Sequence, residues 1–194
     1  MQNLTHQYLR VLVIACGLIT WGGETLRGAP PDTPRKQFDA CALLSASVIE
    51  KTLGEPVKQT KGSIGKGGAV IVAQCLYSLP TFSNSISLTV TLADPNSSLL
   101  AAPRELWEQR FHETAEQPDR AAAHPREEQE EEAARFVTVS GLGEEAYWVR
   151  SFVGTLYVLK GNAFLRISMG GKQDDSARLT KARALAADAL SRMP

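Results

Sequence analysis

The chain has 194 residues, 21 Lys and Arg against 21 Asp and Glu, and 43% hydrophobic residues. This is the composition of a globular protein, with length for one domain and its own core. Zero net charge leaves no electrostatic excess to displace counterions from phosphates, which excludes a general nucleic-acid binder, and it argues equally against a polybasic membrane-surface protein.

Residues 11–21, VLVIACGLITW, carry no charge and follow Arg10. Eleven residues make a helix of about 16 Å, too short for a bilayer crossing of about 20 residues and suited to the apolar region of an export signal. Residues 1–29 are therefore predicted to be a signal peptide or lipoprotein signal. Val13-Ile14-Ala15-Cys16 resembles a bacterial lipobox, so Cys16 is either a lipidation site or one apolar residue of a signal that is removed. Residues 30–37 read as a Pro-rich linker, and the domain is placed at 38–193. Apart from Cys16, the cysteines are Cys41 and Cys75. An even pair in an exported chain reads as a disulfide, and in a reduced compartment as two buried thiols.

Apolar positions Leu43, Leu44, Val48, Ile49 and Leu53 predict a helix over 45–53, with Ser47 and Glu50 as a capping box and Gly54 as terminator. Asp39 caps an earlier turn that carries Cys41. Residues 57–61 form a first strand and 62–68, rich in glycine, a flexible turn. Residues 70–78 and 85–93 are strands, the second alternating Ile86, Leu88, Val90 and Leu92 with Ser and Thr. A helix runs from Asn96 or Ser97 to about 116. Residues 118–134 hold Pro118, Pro125 and the acidic run Glu127-Glu128-Gln129-Glu130-Glu131-Glu132, and are expected to be a mobile acidic insertion. Strand-like segments follow at 136–139, 144–149, 152–160 and 163–169. The last helix spans 176–192, capped by Asp174 or Asp175, with Leu179, Ala182, Leu185, Ala186, Ala189 and Leu190 inward. The fold predicted is α+β: a single domain with a curved antiparallel sheet of about six strands and its helices on one face. Without glycine-rich βαβ turns, a dinucleotide fold is disfavoured.

The catalytic patterns are absent. No Ser sits in a G-x-S-x-G elbow, and His112 and His124 have no nucleophile at a supporting spacing. In Gly65-Lys66-Gly67 a glycine stands where a phosphate loop needs Ser or Thr. The acidic run lacks the alternating ligands and turn glycine of a calcium loop. Glu144 and Glu145, adjacent on a strand, point to opposite faces and make a poor acid–base pair. The reading is a non-enzymatic protein with no cofactor, no metal and no catalytic residue. Tyr147, Trp148, Arg150, Phe152 and Tyr157 form the candidate ligand or partner surface, with core packing as the competing role of the aromatics.

Several of these segments together resemble one family. Asp39-Ala-Cys41-Ala-Leu43-Leu44, the helix ending Leu53-Gly54, the Gly-rich turn, Cys75-Leu76-Tyr77 and Gly141-Leu-Gly143-Glu-Glu-Ala146-Tyr147 look like exported bacterial lipoproteins of unknown function, frequent in actinobacterial envelopes. The resemblance covers 38–193; the long acidic insertion departs from it. It implies a bond between Cys41 and Cys75, a small α+β domain and an exported location in periplasm, cell envelope or extracellular space, and it implies no reaction. The partner expected is an envelope protein or a small apolar ligand, with membrane contact only through an N-terminal lipid. The alternative is a structural or accessory envelope lipoprotein without a small-molecule ligand.

Overall fold

A computed structural model describes residues 37–112 and 136–193. The proposed signal, the lipobox Cys16, most of the linker, the acidic insertion and His124 lie outside these residues. Seven strands form one open antiparallel sheet: β1 (Gln59–Gly67), β2 (Val70–Ser78), β3 (Ile86–Ala93), β4 (Phe136–Thr138), β5 (Glu145–Val149), β6 (Gly154–Lys160) and β7 (Ala163–Met169). Their order is β1-β2-β3-β7-β6-β5-β4. Three α-helices among the described residues pack with the sheet in an α+β arrangement: α1 (Ala46–Leu53), α2 (Ala102–Phe111) and α3 (Asp175–Arg192).

The first strand, expected at 57–61, runs instead over 59–67 and takes in most of the segment read as a flexible turn. Residues 59–67 pair with β2 at every position, and only Gly68 and Ala69 are left to turn the hairpin. Gly68 has φ +59°, the left-handed conformation such a turn needs. Cross-strand pairing outweighs the poor strand propensity of Gly62, Gly65 and Gly67, because β2 is a strong template.

The register assigns side chains to two faces. Trp148, Leu156, Ile167, Leu88 and Cys75 follow one another across β5, β6, β7, β3 and β2. This row is the floor of the main core, and Leu43, Leu44, Ile49, Ala182, Leu185, Ala186 and Ala189 cover it from α1, α3 and the short 3-10 turn Ala40–Leu43. One residue along each strand, the side chains change face. There α2 lays Trp107 and Phe111 over Tyr147, Tyr157, Leu159 and Phe164. Two helices thus share one face, while α2 lies on the other. The stripe Pro103, Trp107, Phe111 at i, i+4, i+8 sends it there.

Helix ends follow local chemistry. Ser45, not Ser47, caps α1: its Oγ accepts from the Val48 amide at 3.3 Å, and Ser47 instead bonds Ser45 at 3.0 Å. The capping box therefore does not form. Asp39 accepts from the Cys41 amide at 2.8 Å, as expected for the earlier turn. Helix α2 starts at Ala102, six residues past Asn96, because Asp94 draws the Asn96 amide into a side-chain turn at 3.0 Å and Pro103 is tolerated only in a first turn. Asp174 caps α3 at the Ala177 amide. At its other end, Lys160 Nζ donates to the carbonyls of Leu190 and Met193, placing a cation on the negative end of the helix.

Cys41 and Cys75 form a disulfide with Cα atoms 5.1 Å apart. It ties the 3-10 turn to the middle of β2. Gly62 stands opposite Cys75, and a Cβ there would come within 3.3 Å of Cys41 Sγ. Such a bond is compatible with an oxidising, exported location. Among the described residues no helix is long and apolar enough to cross a membrane.

Candidate functional site

The five residues proposed as one surface divide among three environments. Trp148 points into the main core with no exposed area. Tyr147 and Tyr157 face the other way, in the α2 cluster, where Tyr147 stacks on Phe111 with centroids 4.6 Å apart. Tyr157 is edge-on to Phe111, and the Arg110 guanidinium lies 4.7 Å from its centroid. These three aromatics are core, for the reason that strands place them alternately on the two faces. Arg150 and Phe152 lie beyond β5, in the loop to β6. Phe152 is not the start of a strand, since β6 begins only at Gly154. It is 95% exposed.

That loop is anchored from behind. Arg178, on the first turns of α3 and only 8% exposed, donates to the Phe152 carbonyl at 2.8 Å and the Ser151 carbonyl at 3.2 Å. Its guanidinium also meets Asp175 at 3.2 Å. Asp175 is the hub: both of its oxygens accept from the Trp148 indole N–H at 3.0 Å, and Arg150 Nε lies 3.3 Å away. One carboxylate near the positive end of α3 thus joins the core tryptophan, the loop and the buried arginine. Together with Ser151, Ser176 and Leu179 these side chains line an open cleft of about 550 Å³. Sequence reasoning missed Asp175 and Arg178. The signal was Asp174-Asp175 with Arg178 three residues on: one carboxylate suffices to cap a helix, and the second was free for another task.

The two glutamates considered as a catalytic pair are apart and occupied. Glu144 accepts from Arg104 on α2 and from the Gly161 amide. Glu145 accepts from the Trp107 indole at 3.0 Å and shares a hydrogen bond of 2.9 Å with His112 Nε2. Consecutive carboxylates therefore clamp the two ends of α2. The hydrogen bond from Trp107 is the main cause that holds the Glu145 carboxyl below its usual value, with His112 adding to it and desolvation opposing. Arg104 does the same for Glu144. A group held as a carboxylate and saturated with donors is a structural fastener, poorly placed to accept a substrate proton. Among the described residues no group of three His, Cys, Asp or Glu side chains is disposed to hold a metal ion.

Comparisons with protein-family models, with curated proteins and with solved structures found no match for this chain.

Proposed function

We propose that this chain is a non-enzymatic, exported envelope domain that docks a partner through the end of the sheet carrying the β5–β6 loop. The observation that carries this reading is Phe152, 95% exposed on a loop whose carbonyls are held by a buried arginine. Burying a phenylalanine stabilises by about 1.5–3 kcal/mol. A loop fastened so that this ring stays in water forgoes that gain in the isolated domain and keeps it for a complex. Arg150, half in solvent, stands beside it, and the mixture of aromatic anchor and arginine is the composition of binding hot spots.

The export reading draws on the apolar residues 11–21 and on the disulfide. The resemblance to exported lipoproteins agrees with it, and Cys16 is then either the lipid-bearing residue or part of a removed signal. The cleft lined by Asp175 and Arg178 suits a second reading, a small ligand with an apolar body seated on Leu179 and the edge of Trp148.

A photo-cross-linking phenylalanine analogue at position 152, in cells that make the protein, tests the docking reading. The control position is Leu100, exposed in the loop that follows β3 at the opposite end of the sheet. A discrete adduct at 152 and none at 100 is expected. Equal labelling at both positions, or none at either, refutes the reading. Native mass measurement of the same protein separates the ligand reading: a small adduct lost on denaturation supports it, and a bare mass excludes it.

A further inference from the structure

The far edge of the sheet has a chemistry of its own. β1 pairs with β2 along all nine residues and, among the described residues, has no neighbour on its outer side. Every one of its residues is exposed. In an antiparallel strand alternate residues turn N–H and C=O away from the paired neighbour, so this edge presents a ladder of free backbone donors and acceptors about 30 Å long. A second observation concerns charge. Between Glu55 and Asp94 the sequence has no Asp or Glu, and its only charged residues there are Lys58, Lys61 and Lys66. Lys66 is engaged by Asp94 at 3.1 Å. Lys58 and Lys61 form no ion pair among the described residues. A third observation is the glycines. Gly65 and Gly67 adopt no positive φ, and a Cβ on either would meet nothing. The fold itself does not require glycine there, yet bare backbone leaves the edge open to approach. It also leaves Val72, paired with Gly65, 36% exposed; Leu76, on the same face and paired with Lys61, is 37% exposed.

We propose that β1 receives an extended acidic segment of a partner protein as an eighth strand. Backbone hydrogen bonds supply affinity, as in other strand additions. Glutamates or aspartates three residues apart in the segment pair with Lys58 and Lys61, and a small apolar residue four positions beyond the second, on the same face as Lys61, reaches Val72 across bare Gly65. The same lysines select against the commonest wrong occupant. A second copy adding its own β1 here brings together two edges that carry the same lysines and no carboxylate, and like charges on neighbouring strands repel. This surface lies at the edge of the sheet, away from the Phe152 loop, and the inference does not depend on that loop's role.

The test uses the full chain and an end-blocked octapeptide of threonine with glutamate at its first and fourth positions and valine at its eighth. Binding is followed by fluorescence anisotropy and by amide hydrogen exchange. The expected result is a complex that weakens as salt rises, with exchange slowed at least tenfold in β1 and unchanged in α2. Lys58→Glu with Lys61→Glu, both on exposed positions, should weaken binding at least tenfold while leaving the melting temperature of the free protein in place. The same peptide with lysine in place of glutamate should not bind. The proposal is overturned by the absence of binding at millimolar peptide, by protection that appears outside β1, by indifference to the double charge reversal, or by sedimentation showing the free chain already dimerised through this edge.

Discussion

Gly154 and Trp148 occupy complementary space: a Cβ at position 154 would fall onto Cζ2 and Cη2 of the indole. The pair sits where β5 turns into β6, beside the loop that carries Phe152. Glycine there lets the largest side chain of the core lie flat under the first residue of the next strand.

Gly154→Ala should therefore destabilise by about 2 kcal/mol or more, in the range of overpacked cores. Trp148→Phe removes those two ring atoms together with the hydrogen bond to Asp175, at about 1–3 kcal/mol for the donor lost. The double variant should be more stable than the sum of the two losses, since the shortened ring makes room for the methyl group. Urea unfolding of the four proteins checks this. Strict additivity would mean that the clash is relieved elsewhere.

Opening the disulfide removes a link across 34 residues. Replacing both cysteines by alanine should cost about 4 kcal/mol on the chain-entropy account, lowering Tm by roughly 10 °C. Calorimetry of the variant, and of the natural protein with and without reductant, measures it. Equal Tm values in all three would show that the turn is held by packing alone.

Tyr77 is next to that bond on β2. Its hydroxyl donates to the carbonyls of Cys41 at 3.2 Å and Leu44 at 3.4 Å. Burial, with the charge of Asp39 adding to it, pushes the phenol up to about 12. A raised value means that the folded state holds the proton longer than the unfolded chain does. The stabilisation is complete below pH 10 and is lost as pH rises from 10 through 12. Tyr77→Phe should flatten the fall in stability over that window and cost about 1 kcal/mol at neutral pH. Denaturant titrations at pH 8, 10 and 11.5 make the comparison.

The glutamate clamp predicts the opposite pH behaviour. Glu144 and Glu145 are both held below the usual glutamate value of 4.5 by donors from α2 and its surroundings. The contribution of a depressed carboxyl is present above its unfolded value and is lost as pH falls through the folded one. Below about pH 4 the attachment of α2 should weaken before the main core does. The change should report through Trp107, which is buried in this packing. Glu145→Gln should already loosen α2 at neutral pH and reduce the acid-induced change in tryptophan fluorescence. An unchanged acid profile in that variant would remove Glu145 from the clamp.

The elements with strong local signals were legible from the residues. The alternation of β3, the stripe of α3 and the Asp39 turn each depend on contacts within one segment, so period and capping chemistry were enough. β1 was legible only at its start, where the expected strand 57–61 overlaps it at 59–61; the glycines of 62–67 carry no strand signal, and the pairing offered by β2 makes them extended. The start of α2 was misplaced because Asn96 and Ser97 look like caps until Asp94 claims the Asn96 amide.

The candidate surface shows the same division. Sequence alone identified an aromatic-rich stretch, 147–157, and an even cysteine pair in one α+β domain. Alternation along β5 and β6 buries Trp148 on one side and Tyr147 and Tyr157 on the other, and leaves Phe152 outside. Which of these aromatics meets solvent depends on partners far along the chain: Trp107 and Phe111 on α2, Asp175 and Arg178 on α3. Composition and local period are properties of neighbouring residues and can be read in order. The pairing of a loop with a helix 26 residues later is chosen only when the whole core closes, because burying Trp148 and the arginine is favourable only once both find their partners.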